Sequence, residues 1–375
     1  MKEENLTPAK SSLRIGKPQL KLLEQLCNAC GVSGAEGEVR SIVLEQLKPS
    51  LGKSPLWDKN PSVDVMGNLI AHIPAKEQPS VKVMLAAHLD EVGFMLTKDE
   101  NEGFFRFDVI GGIDKRLMVG KAVWVGKEHI AGVIGAKPIH LASEGELERS
   151  IAVEDLRIDV SPENKSKVNV GDRATFAAPF QQLGDSLRAK ALDDRLGVAA
   201  LIELLKQSYP HLELFGAFTV QEEIGLRGAA AAAYACSPQV AIVLDCTPAY
   251  DLPHWEVDRG KVEETVYYNT QLGKGAAIYV ADGGMISDPR LVRHFIQIAE
   301  EQGIPYQIRQ AGGGGTDGGA IHLQHEGIPT IAVSVPARYL HTPYSLARIS
   351  DWQSVLSLVH AALMKLTPEL LTEER

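Results

Sequence analysis

The sequence predicts a layered α/β fold interrupted by a small β-rich domain, and three observations support this prediction. Residues 81–88, VKVMLAAH, form a short continuous apolar run, which is typical of a central strand covered on both faces. From Asp193 onward, strand and helix patterns alternate along the chain. Between about Val92 and Phe180 the pattern changes to short β-type runs separated by turn residues, which indicates a second architecture inserted into the first.

The segments before the insertion carry local signals of their own. Residues 17–48 predict two helices on either side of the Gly-rich break GVSGAEG. Residues 63–74, VDVMGNLIAHIP, predict a β-hairpin that turns at MGN. With the strand at 81–88, these segments form the first part of the α/β domain.

The inserted region contains four β-type runs and little helical periodicity, so we expect it to fold as a separate domain. The runs are GFFRFDVIGG, KAVWVGK, HIAGVIGA and IAVEDLRIDV. The predicted boundaries are residues 92–180 for the β-rich insertion, and residues 1–91 together with 181–375 for a discontinuous α/β domain.

The part of the chain that follows the insertion alternates between helix and strand patterns. In order, the predicted elements are the helix DRLGVAALIELLKQS, the strand LELFGAFTV, the helix LRGAAAAAYA, the strand QVAIVLD, the helix PRLVRHFIQIAEEQG and the strand PTIAVSV. Such an alternation is the signature of a sheet layered with helices.

Composition excludes several classes of function. The chain has 375 residues and a net charge of −10, whereas a nucleic-acid-binding protein needs a basic face. The amino-terminal stretch MKEENLTPAKSSLRIGK lacks the apolar core of an export signal, so we expect a cytoplasmic protein. No apolar run reaches the roughly 18 residues that span a bilayer, and we expect no membrane association.

The four cysteines do not predict a disulfide framework in a chain of this length. Cys27 and Cys30 form a CxxC motif, but no second CxxC completes a zinc site. Because the motif falls near the end of a predicted helix at core-facing spacing, we interpret both cysteines as small buried hydrophobic residues. Cys236 and Cys246 receive the same interpretation.

Ionisable residues follow the predicted strands at the point where each strand ends. The strand 81–88 ends in His88, and Asp90 and Glu91 follow it. Three other strands are followed by Glu222 and Glu223, by Asp245 and by His341, and a predicted helix begins at Asp193 and Asp194. Ligands of open α/β sheets collect outside the carboxyl ends of the strands. The sequence therefore predicts one site that contains two His and several carboxylates.

Such a set of side chains suits divalent metals. Mixed imidazole and carboxylate ligands are typical of Zn²⁺, Co²⁺ and Mn²⁺ sites. Five ligands are too many for one open catalytic zinc, but they suffice for two metals if one carboxylate bridges. Asp90, two residues beyond His88, is placed to accept the second imidazole N–H. Taken singly, each residue has a simpler interpretation, such as a helix N-cap at Asp193.

Several motifs, in this order and spacing, resemble those of the tetrahedral-type dinuclear metalloaminopeptidases. They are AHLDEVGF, AKALDDRLG, TVQEEIGLRGA, VLDCTPA, GGGGTDGGAIHLQHEGIPT and RYLHTPY. The family includes glutamyl, leucyl and lysyl aminopeptidases, and some members carry the older label cellulase M or endoglucanase. The resemblance runs from the first helices to near the C-terminus. CNACG, the Gly in TDGGA and the N-terminal extension depart from it without touching a ligand position.

The resemblance implies a layered α/β metallopeptidase domain of the phosphorylase/hydrolase-like type, with an inserted barrel-like domain used in assembly or dimerisation. It also implies a role for each site residue. Asp193 would bridge two metals and be joined to Asp194 by a cis peptide bond. The remaining roles would be His88 and Asp245 at one metal, Glu223 and His341 at the other, Glu222 as general base, and Asp90 as the partner of His88.

The implied activity is removal of N-terminal residues from short peptides with free N-termini by a homododecamer. Two divalent cations, Zn²⁺ or Co²⁺ and otherwise Mn²⁺, would lower the pKa of a water towards about 7. Glu222 would take its proton and return it to the leaving amine.

Two rival functions differ from this one. An endoglucanase would use two carboxylates and no dinuclear metal, which leaves the two His without a purpose. A non-catalytic shell would use its metals structurally, but structural zinc sites are closed and usually rich in Cys and His.

The Gly-rich segment 312–319, GGGGTDGG, does not end in GK[ST], so it is not a P-loop. We expect a tight loop beside the substrate pocket, with Thr316 or Asp317 capping the next helix.

Overall fold

The computed structural model describes residues 13–78, 80–148, 151–252, 270–310 and 312–375. The predicted amino-terminal extension falls mostly on residues 1–12, which lie outside these ranges. Over the described residues, no helix combines the length and apolar character that crossing a bilayer requires.

The predicted α/β layers are present, and the described residues form one sheet of eleven strands. Its strands are β1 Ser62–Val63, β2 Leu69–Ile73, β3 Val81–His88, β10 Gln181–Leu183, β11 Ser186–Ala189, β12 Leu212–Thr219, β13 Val240–Pro248, β14 Ala276–Tyr279, β15 Tyr306–Arg309, β16 Thr330–Arg338 and β17 Ser345–Arg348. The hydrogen-bonded order is β1-β2-β12-β3-β13-β16-β17-β11-β10, with β14 between β15 and β16 at the side.

Four central strands, β12, β3, β13 and β16, run parallel to one another. Their carboxyl ends therefore lie at one edge of the sheet. All but one residue of β3 are buried, which explains its continuous apolar sequence.

Helices cover both faces of the sheet. They are α1 Lys17–Asn28, α2 Gly37–Leu47, α4 Leu192–Leu205, α5 Arg227–Cys236, α6 Pro289–Gln302, α7 Gly318–Ile321 and α8 Ile349–Lys365, while the short α3 Glu144–Leu147 lies within the inserted region. On one face α1, α2, α4, α6 and α8 enclose the largest apolar core, and on the other α5 and α7 cover a smaller one.

The inserted region forms a closed six-stranded barrel within the described chain. Its strands are β4 Gly93–Asp99, β5 Phe104–Ile110, β6 Ala122–Val125, β7 Ile130–Gly135, β8 Arg157–Asp159 and β9 Arg173–Phe176. The barrel has its own apolar core, in which Phe94 contacts Phe107 and Phe176 edge to face at 5.1 and 5.3 Å between ring centroids. Treating residues 92–180 as an independent domain stays a prediction.

Two details differ from the sequence-based expectations. The run IAVEDLRIDV was expected to be β throughout, but Val153–Asp155 form a 3₁₀ turn and only Arg157–Asp159 pair as a strand. The strand predicted to end at Asp245 continues to Pro248, because β13 pairs with β16 from Ala241 to Pro248. The two helices of residues 17–48 and the hairpin of residues 63–74 are confirmed.

The cysteine prediction is right for three residues and wrong for one. Cys27, Cys236 and Cys246 are buried, with at most 5% of their surface exposed. Cys30 is only half-buried and lies in the loop between α1 and α2, outside the apolar cores. The reason is that α1 ends at Asn28, so Cys30 does not continue the core-facing stripe of the helix.

Candidate metal centre

The predicted site residues lie together at the carboxyl edge of the four parallel strands. His88 is the last residue of β3 and lies opposite Thr219, the last residue of β12. Glu222 and Glu223 occupy the turn after β12, Asp245 is within β13, and His341 follows β16. Asp193 and Asp194 form the distorted start of α4 and are joined by a cis peptide bond, as the resemblance implied.

Asp193 is at the centre of the cluster. One of its carboxylate oxygens lies 3.2 Å from His88 Nε2, and the other lies 3.6 Å from His341 Nε2. His88 Nε2 is also 3.9 Å from Asp245 Oδ1, and His341 Nε2 is 3.3 Å from Glu223 Oε1. The cluster therefore has two halves, and the carboxylate of Asp193 faces both.

The electrostatics of the cluster are those of buried carboxylates around two imidazoles. Burial raises the pKa of Glu223 to about 7, with the Asp193 charge adding to the effect. Burial also raises the pKa of Glu222 and of Asp245 well above the ordinary carboxyl value, and neighbouring carboxylates reinforce both shifts. Such a concentration of buried acid requires nearby positive charge.

Contacts within the cluster favour the charged forms of Asp193 and of the two histidines, so the pKa of Asp193 is lowered and those of His88 and His341 are raised. Burial disfavours the charged form of Asp193, but hydrogen bonds with His341 and His88 outweigh it and hold the pKa of Asp193 well below its usual range. Burial likewise opposes charge on His341, yet Asp193 and Glu223 raise its pKa to about 9. The two imidazoles thus carry the positive charge that a cation would carry at this site.

His341 is oriented by the barrel. Its Nδ1 donates to the carbonyl oxygen of Gly112, in the loop after β5, at 2.9 Å. This hydrogen bond fixes a proton on Nδ1, so Nε2 is the nitrogen that can bind a metal once its own proton is lost.

Asp90 positions neighbouring residues of the site through hydrogen bonds. Its Oδ1 lies 3.4 Å from His88 Nδ1. Its two oxygens also accept the backbone N–H groups of Glu222 at 2.9 Å and Glu223 at 3.1 Å, and the Ser33 hydroxyl at 2.6 Å. The sequence indicated only the contact with His88, because a backbone N–H leaves no mark in a pattern of side chains.

Sequence reasoning missed a buried ion cluster next to the site. Lys190 Nζ lies 2.8 Å from both carboxylate oxygens of Glu91, and Arg195 Nη2 lies 3.4 Å from one of them. All three side chains are essentially buried. The sequence did contain a signal for this cluster. Lys190 and Arg195 flank the aspartate pair in KALDDR, and basic side chains next to buried strand ends are the partners that a buried acid such as Glu91 needs.

Of the two residues expected to cap α7, Thr316 does so and Asp317 does not. Asp317 is 2% exposed and accepts a short hydrogen bond from the Thr219 hydroxyl, and its side chain makes no capping hydrogen bond. Burial raises its pKa to about 6. The cap is provided by Thr316, whose Oγ1 accepts the N–H of Gly318 at 3.2 Å.

The donor set fits divalent metals. Ligand atoms of His88, Asp193 and Glu223 lie within 4.8 Å of one another, as do those of His88, Asp194 and Asp245. Imidazole nitrogens combined with carboxylate oxygens match the preferences of Zn²⁺, Co²⁺ and Mn²⁺. The structure therefore brings all the predicted ligands into one cluster, and their individual roles stay predictions.

Comparison with known proteins places this geometry among peptidases. A family model described as M42 glutamyl aminopeptidase matches residues 67–358. A lysyl aminopeptidase of Pyrococcus furiosus is 31% identical, over 93% of this chain and 97% of its own length. The crystal structure of a TET aminopeptidase from the archaeon Thaumarchaeota archaeon SCGC AB-539-E09 superimposes with a TM-score of 0.85 at 30% identity, covering 95% of this chain and 99% of that one.

A further solved structure bears on assembly. The Pyrococcus horikoshii TET1 peptidase, described as able to assemble into a tetrahedron or a large octahedral shell, superimposes with a TM-score of 0.78 at 32% identity. The match covers 93% of this chain and all of that one.

Proposed function

The chain belongs to the M42 glutamyl aminopeptidase family, and from this premise we propose that it removes N-terminal residues from short peptides at a dinuclear metal centre. The observation that supports this proposal most directly is the placement of Asp193, whose two carboxylate oxygens face two different histidines. A bridging carboxylate needs this arrangement.

In the proposed centre, Asp193 would be shared by the two metals. His88 and Asp245 would hold one metal, and Glu223 and His341 the other; the members of these pairs lie 3.9 and 3.3 Å apart. When bound, two divalent cations, Zn²⁺ or Co²⁺ and otherwise Mn²⁺, would lower the pKa of a water towards about 7 and polarise the scissile carbonyl.

Glu222 is the proposed general base. Among the described residues, no hydrogen bond restrains its carboxylate, and burial raises its pKa well above the ordinary value. A raised pKa favours a group that must take a proton from the attacking water and then deliver it to the leaving amine nitrogen. The N–H of Glu222 is held by Asp90, which fixes the start of this side chain.

The preference for a free N-terminus would follow from the metals that the site holds. The free α-amino group of a substrate would be placed to bind one of the two metals through its lone pair. The amide nitrogen of an acetylated terminus has no such lone pair to offer, so we expect acetylated peptides to be poor substrates.

The test is hydrolysis of matched short peptides, with free and with acetylated amino termini, by protein stripped of metal and then resupplied with Zn²⁺, Co²⁺ or Mn²⁺. We expect cleavage only of free-ended peptides and only with metal. Cleavage that survives complete metal removal would contradict the proposal, and absence of cleavage with every metal would favour a non-catalytic shell.

The role of Glu222 has a separate test. Glu222→Gln should lower kcat by roughly 10²–10⁴-fold, the usual contribution of general acid–base catalysis, at unchanged metal content. Glu213→Gln is the matched control, because Glu213 lies near the start of β12, the strand that Glu222 follows, and pairs with His72 at 3.2 Å. Full activity in the Glu222 variant would show that another group accepts the proton.

Assembly and location are part of the proposal. We propose that twelve copies of the 40.7 kDa chain form a shell of about 488 kDa, with the barrel of residues 92–180 as the assembly domain. Analytical ultracentrifugation tests this mass, and a monomer at working concentration would contradict it. Cell fractionation tests the proposed cytoplasmic location.

A further inference from the structure

We propose that Cys30, Glu38 and His129 form a second, non-catalytic site for a thiophilic divalent cation such as Zn²⁺. One ligand atom from each of the three residues lies within 4.8 Å of the other two. Thiolate, imidazole and carboxylate are the three side-chain ligand types that Zn²⁺ uses. None of the three belongs to the Asp193 cluster.

The three side chains come from separate segments that meet at the boundary between the two β regions. Cys30 lies in the loop after α1, Glu38 is in the first turn of α2, and His129 is in the tight turn between β6 and β7 of the barrel. A cation bound here would link the barrel to the helical layer of the α/β domain. Such a link would stabilise the junction between the two regions, although three protein ligands leave the site more open than a typical structural zinc site.

Contacts already in place orient the ligands towards a common point. Glu38 Oε2 lies 2.8 Å from His129 Nε2 and accepts the backbone N–H of Cys30 at 3.1 Å. The His129 ring stacks on Trp124, with centroids 5.7 Å apart and planes 16° apart. His129 also has a left-handed backbone, with φ of 51°, which the tight turn imposes and which directs its side chain.

The surroundings allow a cation to enter and remain hydrated. The three residues line a groove of about 970 Å³ between the α2 region and the barrel. Two arginines of the groove, Arg40 and Arg173, are engaged by the carbonyl oxygens of Gly67 and Ser33. The open side of the groove leaves room for a water as the fourth ligand of a tetrahedral zinc.

The geometry requires only small side-chain adjustments. Bond lengths of about 2.0–2.3 Å place the ligand atoms of a tetrahedral zinc roughly 3.3–3.8 Å apart. Rotation of exposed side chains covers the difference, since Glu38 is 42% and His129 33% exposed. Burial raises the pKa of the Cys30 thiol to about 12, so without a cation the thiol stays protonated and unreactive.

The alternative is an ordinary ion pair between Glu38 and His129, with the thiol uninvolved. Loading the metal-free full-length protein with Co²⁺ separates the two, because only a cysteine ligand produces a near-ultraviolet thiolate-to-cobalt charge-transfer band. We expect the band in the native protein and its loss in Cys30→Ser and in His129→Ala. Each variant should bind one metal equivalent fewer per chain than the native protein.

Two controls keep the test independent of folding and of the catalytic centre. Cys236→Ser removes a buried thiol at the end of α5 and should keep both the band and the metal equivalent. Cys30→Ser should keep native circular dichroism and, at saturating metal, native peptidase activity. Absence of the band from the native protein would overturn the proposal. Its persistence in Cys30→Ser would also do so, since it would then come from another thiol, such as Cys246 beside the catalytic aspartates.

Discussion

The open sheet and the closed barrel are both built of β-strands, yet the predicted catalytic residues all lie at one edge of the sheet and none lies in the barrel. Four parallel strands end at one edge of the sheet, and their ends deliver His88, Glu222, Glu223 and His341. The barrel pairs its six strands with one another and fills its interior with apolar side chains such as Phe94. An open parallel sheet leaves strand ends to which ligand-binding residues can be added, whereas closure uses the strands to enclose a core.

The barrel nevertheless contacts the residues around the site through one backbone carbonyl and one side-chain hydroxyl. The Gly112 carbonyl orients His341 at 2.9 Å, and the Thr175 hydroxyl donates to Glu91 at 2.7 Å. The sheet thus supplies the groups that would bind and react, and the barrel supplies groups that hold them in position. The following predictions test this division of roles.

The largest effect is expected at the centre of the sheet edge. Asp193→Asn should lower kcat/KM by at least about 10⁴-fold, because removing the bridging charge weakens both metal sites, which together supply several kcal/mol of stabilisation. Metal analysis of the purified variant should show at least one ion per chain fewer than the native protein holds.

The control for this variant is Asp251→Asn, which removes a carboxylate paired with Arg338 at 2.6 Å, away from the cluster. It should leave metal content and peptidase activity unchanged. If Asp193→Asn binds as many metals as the native protein and cleaves at the native rate, the sheet edge is not the catalytic site.

The second effect belongs to the barrel and concerns stability. Phe94→Ala should lower the free energy of unfolding of the barrel by about 3–5 kcal/mol, because it leaves a cavity between Phe107 and Phe176. If residues 92–180 are a separate domain, calorimetry of the metal-loaded protein should show one transition shifted and another retained.

Val133→Ala is the matched control, because Val133 is a barrel residue that is 41% exposed, and its loss should change little. A single transition that shifts as a whole in Phe94→Ala would mean that the sheet and the barrel unfold together. The proposed domain boundary would then have no thermodynamic meaning.

The third effect concerns Asp90, which holds residues of the sheet edge in position. Asp90→Asn should reduce kcat/KM or metal affinity by about 10–100-fold, the usual range for a residue that orients a metal ligand. An amide would set an NH₂ group against the N–H groups of Glu222 and Glu223, both of which now donate to Asp90. Titration with Co²⁺ and steady-state kinetics separate the effect on binding from the effect on turnover.

Ser33→Ala removes only the hydroxyl that donates to Asp90 at 2.6 Å, so its effect should be smaller than that of Asp90→Asn. Equal effects would show that Asp90 acts through Ser33 and not through the glutamate turn.

The sequence predicts the sheet edge well for a physical reason. Burial on both faces leaves a continuous apolar run in β3, and the first ionisable residue after such a run, His88, must lie where the strand ends. The fold class and the clustering of the site residues followed from the same reasoning at the other strands. The family resemblance added the roles, including the cis bond after Asp193.

The sequence fails where a role depends on a contact between distant segments. Thr316 or Asp317 was expected to cap a helix, and Thr316 does so. The actual role of Asp317 was not foreseen: it accepts a hydrogen bond from Thr219, which lies 98 positions earlier in the chain. Cys30 has its position because the helix ends two residues before it, at a point that periodicity alone does not define. The run at 151–160 has the composition of a strand, but only Arg157–Asp159 form backbone pairs with neighbouring barrel strands.

The smallest effect is expected at the contact between the barrel and the ion cluster beneath the site. Thr175→Val should cost about 1 kcal/mol of unfolding free energy, because the carboxylate of Glu91 loses one donor but keeps Lys190 at 2.8 Å and the N–H of Gly31 at 2.9 Å. Valine has nearly the shape of threonine, so the change removes a hydrogen bond without opening a cavity. Urea unfolding of both proteins provides the measurement.

A double-mutant cycle assigns this cost to one hydrogen bond. In a Glu91→Gln background, Thr175→Val should cost measurably less than in the native protein, because the charged acceptor is already gone. Peptidase activity should stay within a few-fold of native, since Lys190 still contacts both carboxylate oxygens of Glu91 in the variant. If Thr175→Val instead lowers kcat/KM more than about tenfold, a loss of over 1.36 kcal/mol of transition-state stabilisation, then the barrel takes part in arranging the reacting groups, and the division between a reactive sheet and a supporting barrel is too sharp.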